Sequence, residues 1–340
     1  MTRIYALPIS PQRILSLDKI FFPVQGKLKA VEDLLPAWSE GTCPSLKRMA
    51  GKIISKQGKL IRPGILLLIT GHLGYKGKKD IKVAAAVEAI HLASLIHDDI
   101  IDDSATRRGE KTALQIFGPD LSLLLGDFLF IRSLAYSLAI ERKKIPGLLT
   151  SVTQKMIEGE IEELTHKYDY HLSPTTYLKI IEKKTACLFQ TTCELACQFG
   201  HLPTPETEAL KKYGLNLGLT FQIIDDLLDL VGNPSETGKP RFSDLREGHI
   251  TLPLILALES SYLKTGAKIK RYLNQTKSGL DRKNMRGLIR LLQESGALKK
   301  TFNLAETLAN KARQSALALK PTAYRQSLID LVDFVLYRKK

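Results

Sequence analysis

Two clusters of carboxylates carry the chemistry legible in this chain. One is Asp98-Asp99-Ile100-Ile101-Asp102, the other Asp225-Asp226-Leu227-Leu228-Asp229. On a helix, residues four apart stack on one face, so Asp98 lies over Asp102 and Asp225 over Asp229. Like charges at that spacing repel and weaken a helix. Each cluster follows an apolar stretch (Leu95-Ile96 and Ile223-Ile224), where carboxylates are costly unless a cation pairs with them. A solvated acidic patch would explain one such cluster; it explains two of the same form poorly. An all-oxygen donor set suits a hard divalent cation. Mg²⁺ in particular binds through one or two carboxylates plus substrate phosphates. Facing each other across a cavity, the clusters would hold a diphosphate through bridging Mg²⁺.

Cations suited to phosphate stand nearby in sequence. Arg107-Arg108 follows the first cluster, Lys59 and Arg62 lie upstream, Lys184-Thr185 falls in a helical stretch, and Lys239 comes just after the second cluster. Arg offers paired donors to phosphate and Lys a point charge. Each alone would read as an ordinary surface cation. Together they would bind a second diphosphate without metal.

Positioning these groups falls to long helices. Residues 82–102, 120–141, 147–166, 174–199 and 205–231 read as apolar helical segments separated by short polar breaks. Ser173-Pro174 is a good N-cap with Pro at the first helical position, and Gly200 is a plausible C-cap. Residues 232–250, rich in Gly, Pro and charge, are the most irregular interior stretch; helical patterns resume at Leu252. Strand-like alternation is almost absent. The expected fold class is all-α, a single-domain bundle of long helices around a deep central cavity, spanning 1–340. The composition agrees: 44% hydrophobic, only 7% aromatic, 25% charged. Cys187, Cys193 and Cys197 lie in an apolar helical stretch and, with Cys43, form no C-x-x-C pair, which fits reduced cysteines in a cytosolic protein. The N-terminus lacks a signal-peptide pattern, and no apolar run reaches the ~20 residues of a membrane span.

From about Gly58 to Pro253 the chain resembles the trans-isoprenyl diphosphate synthases, the polyprenyl synthetase family. The motifs are His91-Leu92-Ala93-Ser94-Leu95-Ile96-His97-Asp98-Asp99-Ile100-Ile101-Asp102 with Arg107-Arg108-Gly109, then Phe221-Gln222-Ile223-Ile224-Asp225-Asp226-Leu227-Leu228-Asp229. Gly238-Lys239-Pro240, Asp244-Leu245 and Gly248-His249-Ile250-Thr251-Leu252-Pro253 follow. The resemblance implies an all-α homodimer, with residues 1–30 as an N-terminal dimer-contact extension and 254–340 as C-terminal helices. It implies that Asp98, Asp102 and Asp225 bind Mg²⁺ directly and that Asp99, Asp226 and Asp229 ligate or support, with about three ions per site. Arg107 would hold the allylic diphosphate; Lys59, Arg62, His91 and Arg108 would hold isopentenyl diphosphate. Lys184, Thr185, Gln222 and Lys239 would contact the allylic diphosphate and the developing carbocation. Two positions depart from the pattern: Leu60 replaces an Arg, and His249 replaces a Lys that helps bind the allylic diphosphate. Turnover is thereby expected to be weaker or more sensitive to pH near ~6.5.

In that family, bulk a few residues before the first Asp motif limits product length. Here Ala93 and Ser94 are small, so a tunnel should continue past them toward Ile90, with Phe128 and Phe130 as its floor. The expected product is longer than the twenty-carbon class, about thirty to fifty carbons; a short-chain synthase is the alternative. A terpene cyclase would carry an Asn/Ser/Glu metal motif in place of the second Asp cluster, and a regulatory subunit of a heteromeric synthase would lose the Asp motifs. The net charge of +15 suits anionic partners. Lys264–Lys300 is basic but lacks the interleaved aromatics of a nucleic-acid surface, leaving a solvated face or peripheral contact with anionic membrane. The expected location is cytoplasmic.

Overall fold

The computed structural model describes residues 15–54, 58–107, 109–233, 241–259, 268–269, 272 and 282–339. After α1 (Leu17–Ile20) come α2 (Gln25–Ala37), α3 (Pro44–Ile54), α4 (Ile61–His72) and α5 (Lys79–Ile101). A two-residue antiparallel ladder, Thr106–Arg107 with Glu110–Lys111, turns the chain after the first Asp cluster; the sequence pattern gave no sign of it. Then follow α6 (Ala113–Phe117), α7 (Pro119–Leu138), α8 (Lys144–Thr165), α9 (Pro174–Ile181), α10 (Cys187–Cys197) and α11 (Thr204–Val231). The C-terminal part holds α12 (Ser243–Glu247), α13 (Leu252–Glu259), α14 (Arg282–Glu294), α15 (Ala297–Leu317) and α16 (Ala323–Tyr337).

Burial explains the arrangement. Every residue of α4 from Ile61 to Thr70 is buried, as is every residue of α5 from Val83 to Ile90. Helices apolar all round must be surrounded by others. α5 packs on α4 and α7, α10 on α4 and α11, and α11 on α15. Cys187, Cys193 and Cys197 are buried in this core, as expected of reduced packing residues, while Cys43 is exposed.

The expected helix 174–199 needs correction. It starts as foreseen, with the Ser173 hydroxyl accepting from the Thr176 amide. It is then interrupted by a π turn over Glu182–Ala186, and it ends at Cys197, before Gly200. A π turn inserts one extra residue into a helix and re-aims the side chains on it; here those include Lys184 and Thr185. Gly159 of α8 allows the close approach, because a Cβ there would lie 2.4 Å from the Lys184 amide nitrogen.

Candidate active site

The C-terminal ends of α5 and α11 open onto one cavity of about 1110 Å³. Asp98 and Asp102 line it from α5, and Asp225, Asp226 and Asp229 from α11. The two clusters, far apart in sequence, therefore share a wall-to-wall space. Lys59, Arg62, His91, Arg107, Lys184, Thr185, Gln222 and His249 line it as well. Arg108 and Lys239 lie outside the described residues.

Asp99 points elsewhere. It is buried, it is not among the lining residues, and it accepts from Arg107 Nε and Nη2, both at 2.9 Å. The first cluster thus divides its labour: two carboxylates face the cavity and the third holds the arginine at its rim. Asp229 faces the cavity and also accepts from the Ser243 amide at 3.0 Å and hydroxyl at 2.5 Å, which ties α11 to the start of α12.

Burial sets the electrostatics. It pushes the Asp98 carboxyl up to about 7 against the opposing pull of Lys184. It also pushes Asp226 up to about 7, although Tyr177 and Gln222 donate to it. Added positive charge would favour the ionised form of both carboxyls, and the donors are all oxygen. That donor set fits a hard divalent cation. Burial works against the Lys184 ammonium too, yet Glu163, Asp98 and Glu160 hold its pKa well above the usual lysine value. Asp102 is the opposite case. Burial would raise it, but hydrogen bonds from His249 and Lys167 outweigh that and leave it at about 2.

Several partners were not apparent from sequence. Tyr177 donates to Asp226, and Thr185 donates to Gln222 at 2.9 Å, which donates in turn to Asp226 at 2.9 Å. Lys167 reaches Asp102 at 3.0 Å. Glu160 and Glu163 flank Lys184. Arg338, beyond the last helix, reaches Asp225 at 2.7 Å and stacks on the Phe221 ring. The run Glu158-Gly159-Glu160-Ile161-Glu162-Glu163, four carboxylates at the end of one amphipathic helix, was a usable signal for the two glutamates. A basic C-terminal tail offers none for Arg338.

The residues expected to govern product length separate. Ser94 and Phe130 line the cavity, and Ile157 and Ile161 extend its apolar wall. Ala93 and Ile90 are fully buried and, like Phe128, are not among the lining residues. The reason is helical phase: on α5, Ser94 shares a face with His91 and Asp98, while Ala93 shares one with Ile90 and turns into the core.

The comparisons agree with this geometry. The Polyprenyl synthetase family model matches residues 43–289. An octaprenyl diphosphate synthase of Haemophilus influenzae is 33% identical over 320 residues, 94% of this chain and 96% of that protein. A prenyl transferase of Synechocystis is 32% identical over 328 residues, 96% of this chain and 99% of the relative. Among solved structures, a polyprenyl synthase from Caulobacter crescentus complexed with calcium and isoprenyl diphosphate superposes with a TM-score of 0.90 at 33% identity. It covers 97% of this chain and 100% of its own. A decaprenyl diphosphate synthase from Rhodobacter capsulatus gives a TM-score of 0.88 at 30% identity, covering 96% and 100%. Two Asp clusters on one cavity, an all-α fold and relatives matched over nearly their whole length together make this chain a prenyltransferase of the polyprenyl synthetase family.

Proposed function

We propose that the chain condenses isopentenyl diphosphate head-to-tail with an allylic diphosphate, giving an all-trans polyprenyl diphosphate longer than C20. The observation that carries this reading is the placement of both Asp clusters on one cavity that Ser94, Phe130, Ile157 and Ile161 also line. The names of the octaprenyl and decaprenyl relatives support a long product.

Asp98, Asp102 and Asp225 would hold Mg²⁺, about three ions with the diphosphate oxygens, and the metal when bound draws charge from the departing diphosphate. Asp226 and Asp229 support this array from α11, and Asp99 does so by fixing Arg107. Arg107, Lys184 and His249 neutralise the allylic diphosphate, and Lys59, Arg62 and His91 receive isopentenyl diphosphate. Arg108 and Lys239 keep the diphosphate-binding roles that the family resemblance implies. Thr185 and Gln222, hydrogen-bonded to each other at 2.9 Å, would contact the allylic diphosphate and the developing carbocation. The isopentenyl double bond attacks that cation, and a proton is lost to the released pyrophosphate. The apolar wall of Ile157, Ile161 and Phe130 excludes water, which would quench the cation.

The working unit is a homodimer and the whole chain one domain. Leu121, Leu124, Ile131 and Leu138 on α7 are exposed apolar residues that a second copy would cover. Contrary to the expectation from the sequence, α7 is, among the described residues, one helix long and apolar enough to cross a membrane by length and composition, and a third of that window is buried. The proposed location is the cytoplasm, with α14 and its Arg286 and Arg290 able to touch an anionic membrane where a long product would leave. The deciding assay supplies labelled isopentenyl diphosphate with primers of several lengths, with and without Mg²⁺, and sizes the products. Products longer than C20 that need Mg²⁺ support the reading; no elongation of any primer would overturn it.

A further inference from the structure

Asp102, Glu247 and His249 meet at one corner of the cavity, each with a potential ligand atom within 4.8 Å of the others. The three come from the end of α5, the end of α12 and the loop after Gly248, so only the fold assembles them. His249 Nε2 lies 3.4 Å from Asp102 Oδ1. That is long for a charge-assisted hydrogen bond, which closes to about 2.7–2.9 Å. It matches the edge of a coordination tetrahedron, since two ligands each about 2.1 Å from the ion stand about 3.4 Å apart. The His249 side chain is only 10% exposed; its Nε2 is the nitrogen turned toward Asp102, while Nδ1 is buried and faces Glu163 Oε2 at 3.7 Å, beyond hydrogen-bond length. The ring is held in place from the backbone, because the His249 amide donates to the Asp244 carbonyl at 2.8 Å. Gly248, at φ +93°, makes the turn that allows it.

We infer that Asp102, Glu247 and His249 form a site for an imidazole-accepting transition metal of the Zn²⁺/Co²⁺ class. It is distinct in chemistry from the all-oxygen site for Mg²⁺. Two carboxylates and one imidazole leave an open position on such an ion, and nitrogen ligation favours it over Mg²⁺. A protonated Lys at position 249, the residue that the family resemblance leads one to expect, could not ligate, so the site depends on the imidazole of His249. Occupation displaces the Lys167 ammonium from Asp102 Oδ1, where it sits at 3.0 Å. It also takes Asp102 away from the diphosphate clamp, so such an ion inhibits by competing at that residue.

The test uses the full-length, chelator-stripped protein with no diphosphate present, so it stands apart from whether the chain condenses prenyl substrates. Co²⁺ is titrated in excess Mg²⁺ and followed by its visible d–d absorption and by calorimetry. One Co²⁺ per chain should resist the Mg²⁺, with a spectrum showing nitrogen ligation. His249→Lys and Glu247→Gln should each weaken binding at least about tenfold, with unchanged far-ultraviolet circular dichroism. Wild-type protein that binds no Co²⁺ over Mg²⁺, or a His249→Lys variant that binds it as tightly, would overturn the site. If His249→Lys proves unfolded, Glu247→Gln decides by the same titration.

Discussion

The Tyr177 hydroxyl donates to Asp226, joining α9 to the second Asp cluster inside the protein. Asp226 is 2% exposed, and its other oxygen accepts from Gln222 at 2.9 Å. Asp226, expected from the sequence to ligate or to support, is therefore held by protein donors on both oxygens. Removing the phenol leaves a buried carboxylate short of a donor. Tyr177→Phe should lower stability by about 1–3 kcal/mol and reduce turnover through misplacement of its neighbour Asp225. Urea unfolding followed by circular dichroism measures the first effect; an unchanged midpoint would count against it.

Among the described residues no hydrogen-bond donor reaches Asp98, and burial pushes its pKa up to about 7. Asp98→Ala should cut turnover by roughly 10³-fold while leaving the helical circular dichroism intact. Near-normal product formation would remove Asp98 from the machinery.

Gly159 and Lys184 are coupled by a contact of backbone on backbone. A Cβ at Gly159 would meet the Lys184 amide at 2.4 Å and so push on the π turn. Gly159→Ala should cost about 1–3 kcal/mol by overpacking and depress kcat more than KM. Thermal melts and steady-state kinetics read the two effects, and a silent substitution would show that the π turn tolerates movement.

The Asp102–His249 pair gives the metal-free protein a pH signature. Burial disfavours charge on His249, but the Asp102 hydrogen bond and Glu163 outweigh it, so its pKa is raised. A raised His contributes stability that is full below the unfolded value of ~6.5 and lost as pH rises through the folded value. Asp102, lowered to about 2, contributes above its unfolded value of ~3.9 and loses that contribution as pH falls through the folded value. The pair should therefore stabilise most between about pH 4 and 6.5. His249→Asn should lower the Tm most in that window and flatten the decline of Tm above it; a constant difference across pH would contradict this.

Product length should respond at Ser94 rather than at Ala93. Ser94 faces the cavity, so Ser94→Phe should shorten the product with the fold intact. Ala93 is fully buried against the core, so Ala93→Phe should destabilise the chain before it alters the product. Sizing the products of both variants, beside their melting curves, separates the two.

Spacing and composition alone determined the all-α class, the pairing of Asp98 with Asp102 and of Asp225 with Asp229, and the candidate phosphate-binding cations. Those properties are periodic or local: helix phase, residue charge and capping at Ser173 can be read along the chain. The tertiary structure decided which carboxylates face the cavity. Asp99 turned out to hold Arg107, and further residues joined the site from three separate stretches of the chain: Glu160, Glu163 and Lys167 from α8 and the turn after it, Tyr177 from α9, and Arg338 from beyond α16. It also showed the π turn at Glu182–Ala186, because a helix with one extra residue differs little in pattern from one without. Burial completed the picture: the same residue type has a pKa near 7 at Asp98 and near 2 at Asp102. Dielectric surroundings and partners cause that difference, and both exist only once distant segments have packed together.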